Sequence, residues 1–230
     1  MASRPVFIPV EDINVLVEEV SLSFSWHSGF AAVQKKKNIE GLHFEAERQG
    51  IWPVLEISTK SDDRIGQRLS AFNLKIDTPI GEISIESAFQ GSKVFETGGP
   101  YHDLYHADSR SAKKDHRLRE SGKIIGFDFF GDRWPAEPKT AFYDWLYLKA
   151  LQPHQEYLKR LFVYKGFSDI EFNPEKSLNC QARSCAMLVS LLRLDSLDRA
   201  LETQAGFISA VRQSSSLQPH SRGPAQGGLL

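Results

Sequence analysis

The chain has 230 residues, 41% of them hydrophobic and 25% charged, which is ordinary for a folded domain with one sizeable core. Its 28 Lys and Arg stand against 29 Asp and Glu, and a formal charge of −1 excludes nucleic-acid binding by bulk charge, so any such contact must be local. No apolar run approaches the roughly 18 residues of a membrane helix, and two cysteines, Cys180 and Cys185, exclude a disulfide scaffold.

Residues 1–13 show no secretory signal, so a cytoplasmic protein is expected, or a nuclear one if the source is eukaryotic, with no membrane partner. Val20, Leu22, Phe24 and Trp26 alternate with serines, the period of a half-buried strand. Residues 54–59, after Trp52-Pro53, predict a second short strand, and the first third reads as mostly strands. Between them Lys35, Lys36 and Lys37 form either a solvated face or a ligand clamp. Thr78-Pro79-Ile80-Gly81 signals a turn. Ile83 and Ile85 then lead into a helix that Ser84 can cap, with Glu86 in its first turn.

Residues 101–126 are polar and carry Arg110, Lys113, Lys114, Arg117 and Arg119. Residues 126–131 with Trp134-Pro135 read as an aromatic loop region. A helical pattern runs from Lys139 to about Phe162. A strongly apolar helix follows Asn173-Pro174 and runs to about Arg193. Residues 196–211 predict a last amphipathic helix, and the Ser/Gly/Pro/Gln-rich residues 214–230 are expected to be disordered. The class is α+β, with strands early and helices late.

The most informative segment is 84–93. At 100° per residue, Glu86, Gln90 and Lys93 fall within about 60° of one another on a helix, so one face presents a carboxylate, an amide and an ammonium. A first-turn carboxylate at the positive end of the helix dipole suits stabilising a cation or activating water; the plainer alternative is a surface cap beside solvated neighbours. If Asn173 caps a helix with Pro174 in its first position, Lys176 falls in the first turn. Its ammonium then faces a positive helix end, the arrangement that makes a lysine a nucleophile toward a sugar carbon; otherwise it is a flexible surface residue. His102 and His106 are four apart after Gly99-Pro100, and no CxxC or HExxH pattern exists, so no metal is expected. The cysteines suit core packing. The tryptophans suit core packing too; Trp134, between Arg133 and Pro135, is the least core-like of them, and a base or sugar could stack there.

Leu69-Ser70-Ala71-Phe72 with Gly81, and then residues 85–93, resemble the NADAR superfamily, which includes the YbiA-like proteins. That family has a Leu-Ser-Asn-Phe-like opening and a Val-Glu-x-x-Phe-Gln-x-x-Lys helix in the same order. Gly126 and Trp134 resemble its Gly…Trp segment, residues 142–151 its next helix, and Glu171-Phe172-Asn173-Pro174 with Asn179 its late Glu…Asn region. The resemblance covers roughly residues 66–195. Residues 1–65 and the Tyr143–Tyr147 run look like the branch associated with DarT-type toxins. Ala71 replaces the family's Asn, leaving Asn73 as the nearest amide, and Glu175 or Lys176 falls where YbiA-like members carry a late Asp.

The resemblance implies a mainly helical NADAR core, residues 66–213, with residues 1–65 as a strand-rich extension packed on it. It also implies hydrolysis of an N-glycosidic bond, with ADP-ribose the recognised part and no cofactor. In the toxin-associated branch the substrate is DNA carrying ADP-ribose on guanine, the product is ADP-ribose, and a DNA ADP-ribosyltransferase toxin is the cognate partner. The expected catalytic residues are Glu86, Lys176 and Trp134. The expected substrate-binding residues are Ser70, Phe72, Asn73, Gln90, Lys93, Tyr143, Asn173 and Asn179. Either Glu86 stabilises a sugar cation and orients water, or Lys176 attacks the anomeric carbon to form a Schiff base. Two alternatives stand beside this reading: an N-glycosidase of a riboflavin-pathway intermediate, as YbiA-like members imply, and an inactive module that binds ADP-ribose or a toxin.

Overall fold

Alternation of apolar and polar residues at the start of the chain builds a long hairpin. Strands β1 (Ala2–Pro9) and β2 (Val17–Phe24) pair antiparallel, from Ala2 opposite Phe24 to Pro9 opposite Val17, in a computed structural model that describes residues 1–29 and 31–216. The predicted strand around Val20–Phe24 is thus β2, and β1 is its unpredicted partner. The lysine run opens a helix where strands were expected, α1 (Ala32–Arg48). Its buried stripe is only Asn38, Leu42 and Ala46, one residue per turn and one of them polar, so little helical hydrophobic signal shows in the sequence. The Asn38 amide is satisfied by the backbone of His27, donating to its carbonyl at 2.9 Å and accepting from its N–H at 2.7 Å.

Next come β3 (Val54–Glu56), α2 (Arg64–Arg68) and the hairpin of β4 (Lys75–Thr78) with β5 (Gly81–Ser84), closed at the predicted turn. Helix α3 (Ile85–Gly91) follows with Ser84 as its cap, the Ser84 hydroxyl accepting from the Ser87 N–H at 3.1 Å. Strand β6 (Lys93–Phe95), α4 (Ser109–Lys114) and α5 (Arg117–Glu120) lead to β7 (Ile124–Phe129) and β8 (Asp132–Pro135). The expected aromatic loop region is therefore a hairpin. Phe130 and Gly131 take φ of 52° and 92°, which matches the twist of the flanking strands, and β6, β7 and β8 form a three-stranded sheet.

The chain continues through α6 (Ala141–Leu151) and α7 (Gln155–Leu158) to β9 (Gly166–Ser168), then α8 (Gln181–Arg193), α9 (Leu197–Leu201) and α10 (Gln204–Ser216). Past Leu151 the expected long helix breaks into short turns at Pro153, and the expected last helix is two, interrupted at 202–203. Residues 214–216 are helical, and the rest of the expected disordered tail lies outside the described residues. The fold is α+β, with helix outweighing strand.

The main sheet runs β2-β1-β9-β3, with β9 antiparallel to β1 and parallel to β3. One sheet thus joins residues on both sides of the boundary expected near residue 65. Both its faces are covered. Val6, Leu22, Phe24 and Val54 pack under α1 with Leu42 and Ala46. Phe7, Leu55 and Phe167 face the larger core with α6 and α8. Burying roughly 25 cal/mol per Å² of apolar surface on both faces is what holds these short strands in register. Asp144 ties α6 to α8 by accepting from Arg183 at 2.8 Å and from the Ser184 hydroxyl at 2.6 Å. Among the described residues, no helix is long and apolar enough to cross a membrane.

Candidate functional site

A cleft of about 420 Å³ opens where α3, α4, α6, the turn before β4 and the segment between β9 and α8 meet. Glu86 stands in its wall, 5% exposed, and so is no surface cap. Its Oε1 accepts from Gln90 Nε2 at 2.8 Å, and Lys93 Nζ donates to Gln90 Oε1 at 2.6 Å. The predicted carboxylate–amide–ammonium face is therefore a hydrogen-bonded chain, although Lys93 lies two residues past the helix, at the start of β6. Desolvation lowers the Lys93 ammonium to about 8; Glu86 opposes that shift, and Lys113 adds to it. Lys93 Nζ also sits 4.7 Å from the centre of the Phe89 ring.

Lys113 of α4 guards the mouth. Its Nζ is 3.7 Å from Glu86 Oε1 and 5.1 Å from the centre of the Phe72 ring. Tyr143 of α6 meets Phe89 edge-on at 5.2 Å, and burial pushes its phenol well up, so it stays a neutral donor. On the opposite wall, Asp169 is 7% exposed and accepts from the Glu171 N–H and from Gln181 Nε2, both at 3.0 Å. Gln181 Oε1 in turn accepts from the Ala71 N–H at 2.7 Å, stitching the two walls together. Burial lifts the Asp169 carboxyl above the ordinary carboxylate range.

Glu86, Gln90, Lys93, Phe72, Tyr143, Asn173, Lys176 and Asn179 all line this one cleft. Three expected residues do not. Trp134 is 4% exposed on β8 and packs on Trp145 at 5.0 Å and Phe142 at 5.6 Å, leaving no free face for a base. Ser70 is wholly buried, its hydroxyl turned to the Phe72 N–H. Asn73 donates to the Gln67 carbonyl at 2.8 Å and lines a different hollow. Both belong to the tight turn in which the Ser70 carbonyl accepts from the N–H groups of Asn73 and Leu74, so only Ala71 and Phe72 reach the cleft.

No helix begins at Asn173. Its side chain accepts from the Glu175 N–H and its carbonyl from those of Lys176 and Ser177, one turn that ends there, and α8 starts only at Gln181. Lys176 therefore lines the cleft as an exposed residue without the expected helix end behind it. Of the lysine run, Lys35 pairs with Glu171 on the cleft rim at 2.7 Å and Lys36 with Asp62 at 2.9 Å. Sequence reasoning missed Asp169, Gln181 and the role of Lys113, and it noted Glu171 and Phe172 only as part of the late segment, not as cleft residues. Among the described residues, no three His, Cys, Asp or Glu side chains form a group that could hold a metal ion. Cys180 and Cys185 are buried, which pushes both thiols up.

Comparison with curated proteins finds no match. A family model described as the DarT1-associated NADAR antitoxin matches residues 2–221, well beyond the stretch that carries the resemblance. The match takes in the main sheet and both walls of the cleft, and the chain belongs to the DarT1-associated NADAR antitoxin family.

Proposed function

We propose that the cleft removes ADP-ribose from guanine in DNA by cleaving the N-glycosidic bond, undoing the modification made by a cognate toxin. The observation that carries this reading is the chain Glu86–Gln90–Lys93, a carboxylate joined through an amide to a partly desolvated amine inside one cleft. Cleaving such a bond builds positive charge on the anomeric carbon, and the Glu86 carboxylate, itself 5% exposed, supplies the opposing charge. An amine near 8 is neutral in a useful fraction of molecules at neutral pH, so Lys93, rather than the exposed Lys176, is the nucleophile that attacks that carbon. The base leaves, the sugar ring opens to an imine on Lys93, and water releases ADP-ribose.

The other groups suit the rest of such a substrate. Lys113 and Lys176 at the mouth match a pyrophosphate, and Phe72 and Phe172 offer ring faces. Asn179 Oδ1 is buried and has no hydrogen-bond partner among the described residues, an acceptor that a ribose hydroxyl would satisfy. A few local cations in a chain of charge −1 fit a ligand with two phosphates and one base.

The test is turnover on oligonucleotides carrying ADP-ribose on guanine, with thymine-modified strands as control. Wild type is expected to release free ADP-ribose, and Glu86→Gln, which keeps shape and removes charge, to be at least about 10²-fold slower. ADP-ribose binding without release in wild type would instead mark a recognition module.

A further inference from the structure

A second carboxyl group stands behind Asp169. Glu56 ends β3, which runs parallel to β9 with Glu56 opposite Ser168, so Glu56 lies one residue off Asp169 in the register, near enough to feel its charge. The two are 3% and 7% exposed, and among the described residues neither forms an ion pair. Neutral donors hold them instead. Glu56 Oε1 accepts from the Ser58 hydroxyl at 2.7 Å and the Ile170 N–H at 2.9 Å, and its Oε2 from the Ser168 hydroxyl at 2.6 Å. Ser168 Oγ is also 2.8 Å from Nε2 of His43, which burial lowers to about 4, leaving an uncharged ring.

The groups facing the pair do not compensate two negative charges. Glu171 adds negative charge on the Asp169 side, itself paired with Lys35. Cys180 and Tyr143 are kept neutral by burial. Lys113 acts on Asp169 from the mouth, where its side chain is 56% exposed. Glu86, Lys93 and Lys176 share the cleft with it. Two adjacent carboxylates cannot both ionise at neutral pH in such a setting, because each unpaired buried charge carries a heavy desolvation cost and repels the other. Burial pushes both carboxyls up, Glu56 further, in agreement with that geometry.

We infer that Glu56 and Asp169 hold one proton between them across the cleft wall, and that Asp169 hands this proton to the departing base nitrogen. The inference rests on the glycohydrolase reading. As the bond between the anomeric carbon and the base nitrogen breaks, the nitrogen takes the proton of the pair. The Lys93 amine, on bonding to the same carbon, loses one proton, which returns to the pair, and its second passes to the ring oxygen as the sugar opens to the imine. Water then adds to the imine carbon and frees the amine, so one water is consumed, and the base, ADP-ribose and the protonated pair remain. Glu56 is a positioning residue, acting through Asp169.

The first measurement is carbon-13 NMR titration of the carboxyl groups in the full chain, which needs no substrate. Two carboxyls titrating above the ordinary carboxylate range are expected in wild type; a normal value for Asp169 overturns the inference. In Glu56→Gln, the upper of the two steps is expected to vanish and Asp169 to titrate alone at the lower one, because Glu56 is the carboxyl raised by its ionised neighbour. The alkaline limb of kcat on the modified oligonucleotide is expected to move down to that lower step while KM holds, and a limb that stays put overturns proton delivery. Ser168→Ala takes a donor from the Glu56 carboxylate, which raises its titration further, and is expected to move the limb the opposite way, to higher pH. Asp169→Asn is expected to lose at least about 10²-fold at every pH, and retained activity would overturn the role. Should wild type fail to act on the oligonucleotide, the functional reading falls while the titration still decides whether the proton is shared.

Discussion

Lys93 and Lys176 line the same cleft, yet the surroundings of their amines differ. The first is set against Phe89 and Gln90 in the wall, and the second is exposed on a loop. Borohydride added during turnover is expected to trap a covalent adduct in wild type and in Lys176→Ala, and none in Lys93→Ala. An adduct lost from Lys176→Ala instead would return the role to that residue, and no adduct anywhere would leave water as the nucleophile. Trp134 differs from both. Its indole fills space among Phe142, Trp145 and Phe207, so Trp134→Ala is expected to cost about 3–5 kcal/mol in denaturant unfolding. Activity per folded molecule is expected to stay near wild type, and a selective loss in a stable variant would show that the ring reaches substrate.

Helix α3 is short but closely fitted. A Cβ on Gly91 would stand 2.6 Å from two carbons of the Tyr105 ring and 3.2 Å from the Tyr101 carbonyl oxygen. Tyr105 is buried and its hydroxyl is 2.9 Å from Ser92 Oγ, so the ring has nowhere to swing. Gly91→Ala is expected to lose about 1–3 kcal/mol and, because α3 carries Glu86 and Gln90, to lower kcat in the folded fraction as well. This element was the most legible in the sequence: a serine cap, a two-strand turn before it and functional side chains at helical spacing all point the same way. The elements that were not legible lacked such agreement. Helix α1 buries a stripe one residue wide, and β9 is three residues long, too short for any periodicity. The β7–β8 hairpin turns on Phe130, a residue type that seldom adopts positive φ. Asp169 was missed because it follows β9, and Gln181 because its partner is a backbone N–H 110 residues away.

Across the whole molecule, buried titratable groups set how stability follows pH. Glu56 and Asp169 have folded-state values above their unfolded ones, so the folded state binds their protons more tightly. Their stabilising effect is full below the ordinary carboxylate range and is lost as pH rises toward and past neutral. His43 is shifted the opposite way, and its neutral burial costs stability as pH falls through about 6 toward 4. Stability is therefore expected to peak in mildly acidic solution. Glu56→Gln is expected to flatten the decline between about pH 6 and 8 by on the order of 2 kcal/mol, read from urea unfolding at each pH. An unchanged slope would mean that Glu56 is already ionised in the folded protein.

The place of β9 between β1 and β3 sets an order of events at the ribosome. Three of the four strands emerge within the first quarter of the chain, but β1 and β3 are not neighbours in the sheet, and the slot between them waits for residues 166–168. Until then the nascent N-terminal hairpin offers an open edge to any passing extended segment, and its last long-range pairing is also its slowest. Polypeptides stopped short of Gly166 should accordingly pellet or ride on chaperones, whereas the complete chain closes its own edge.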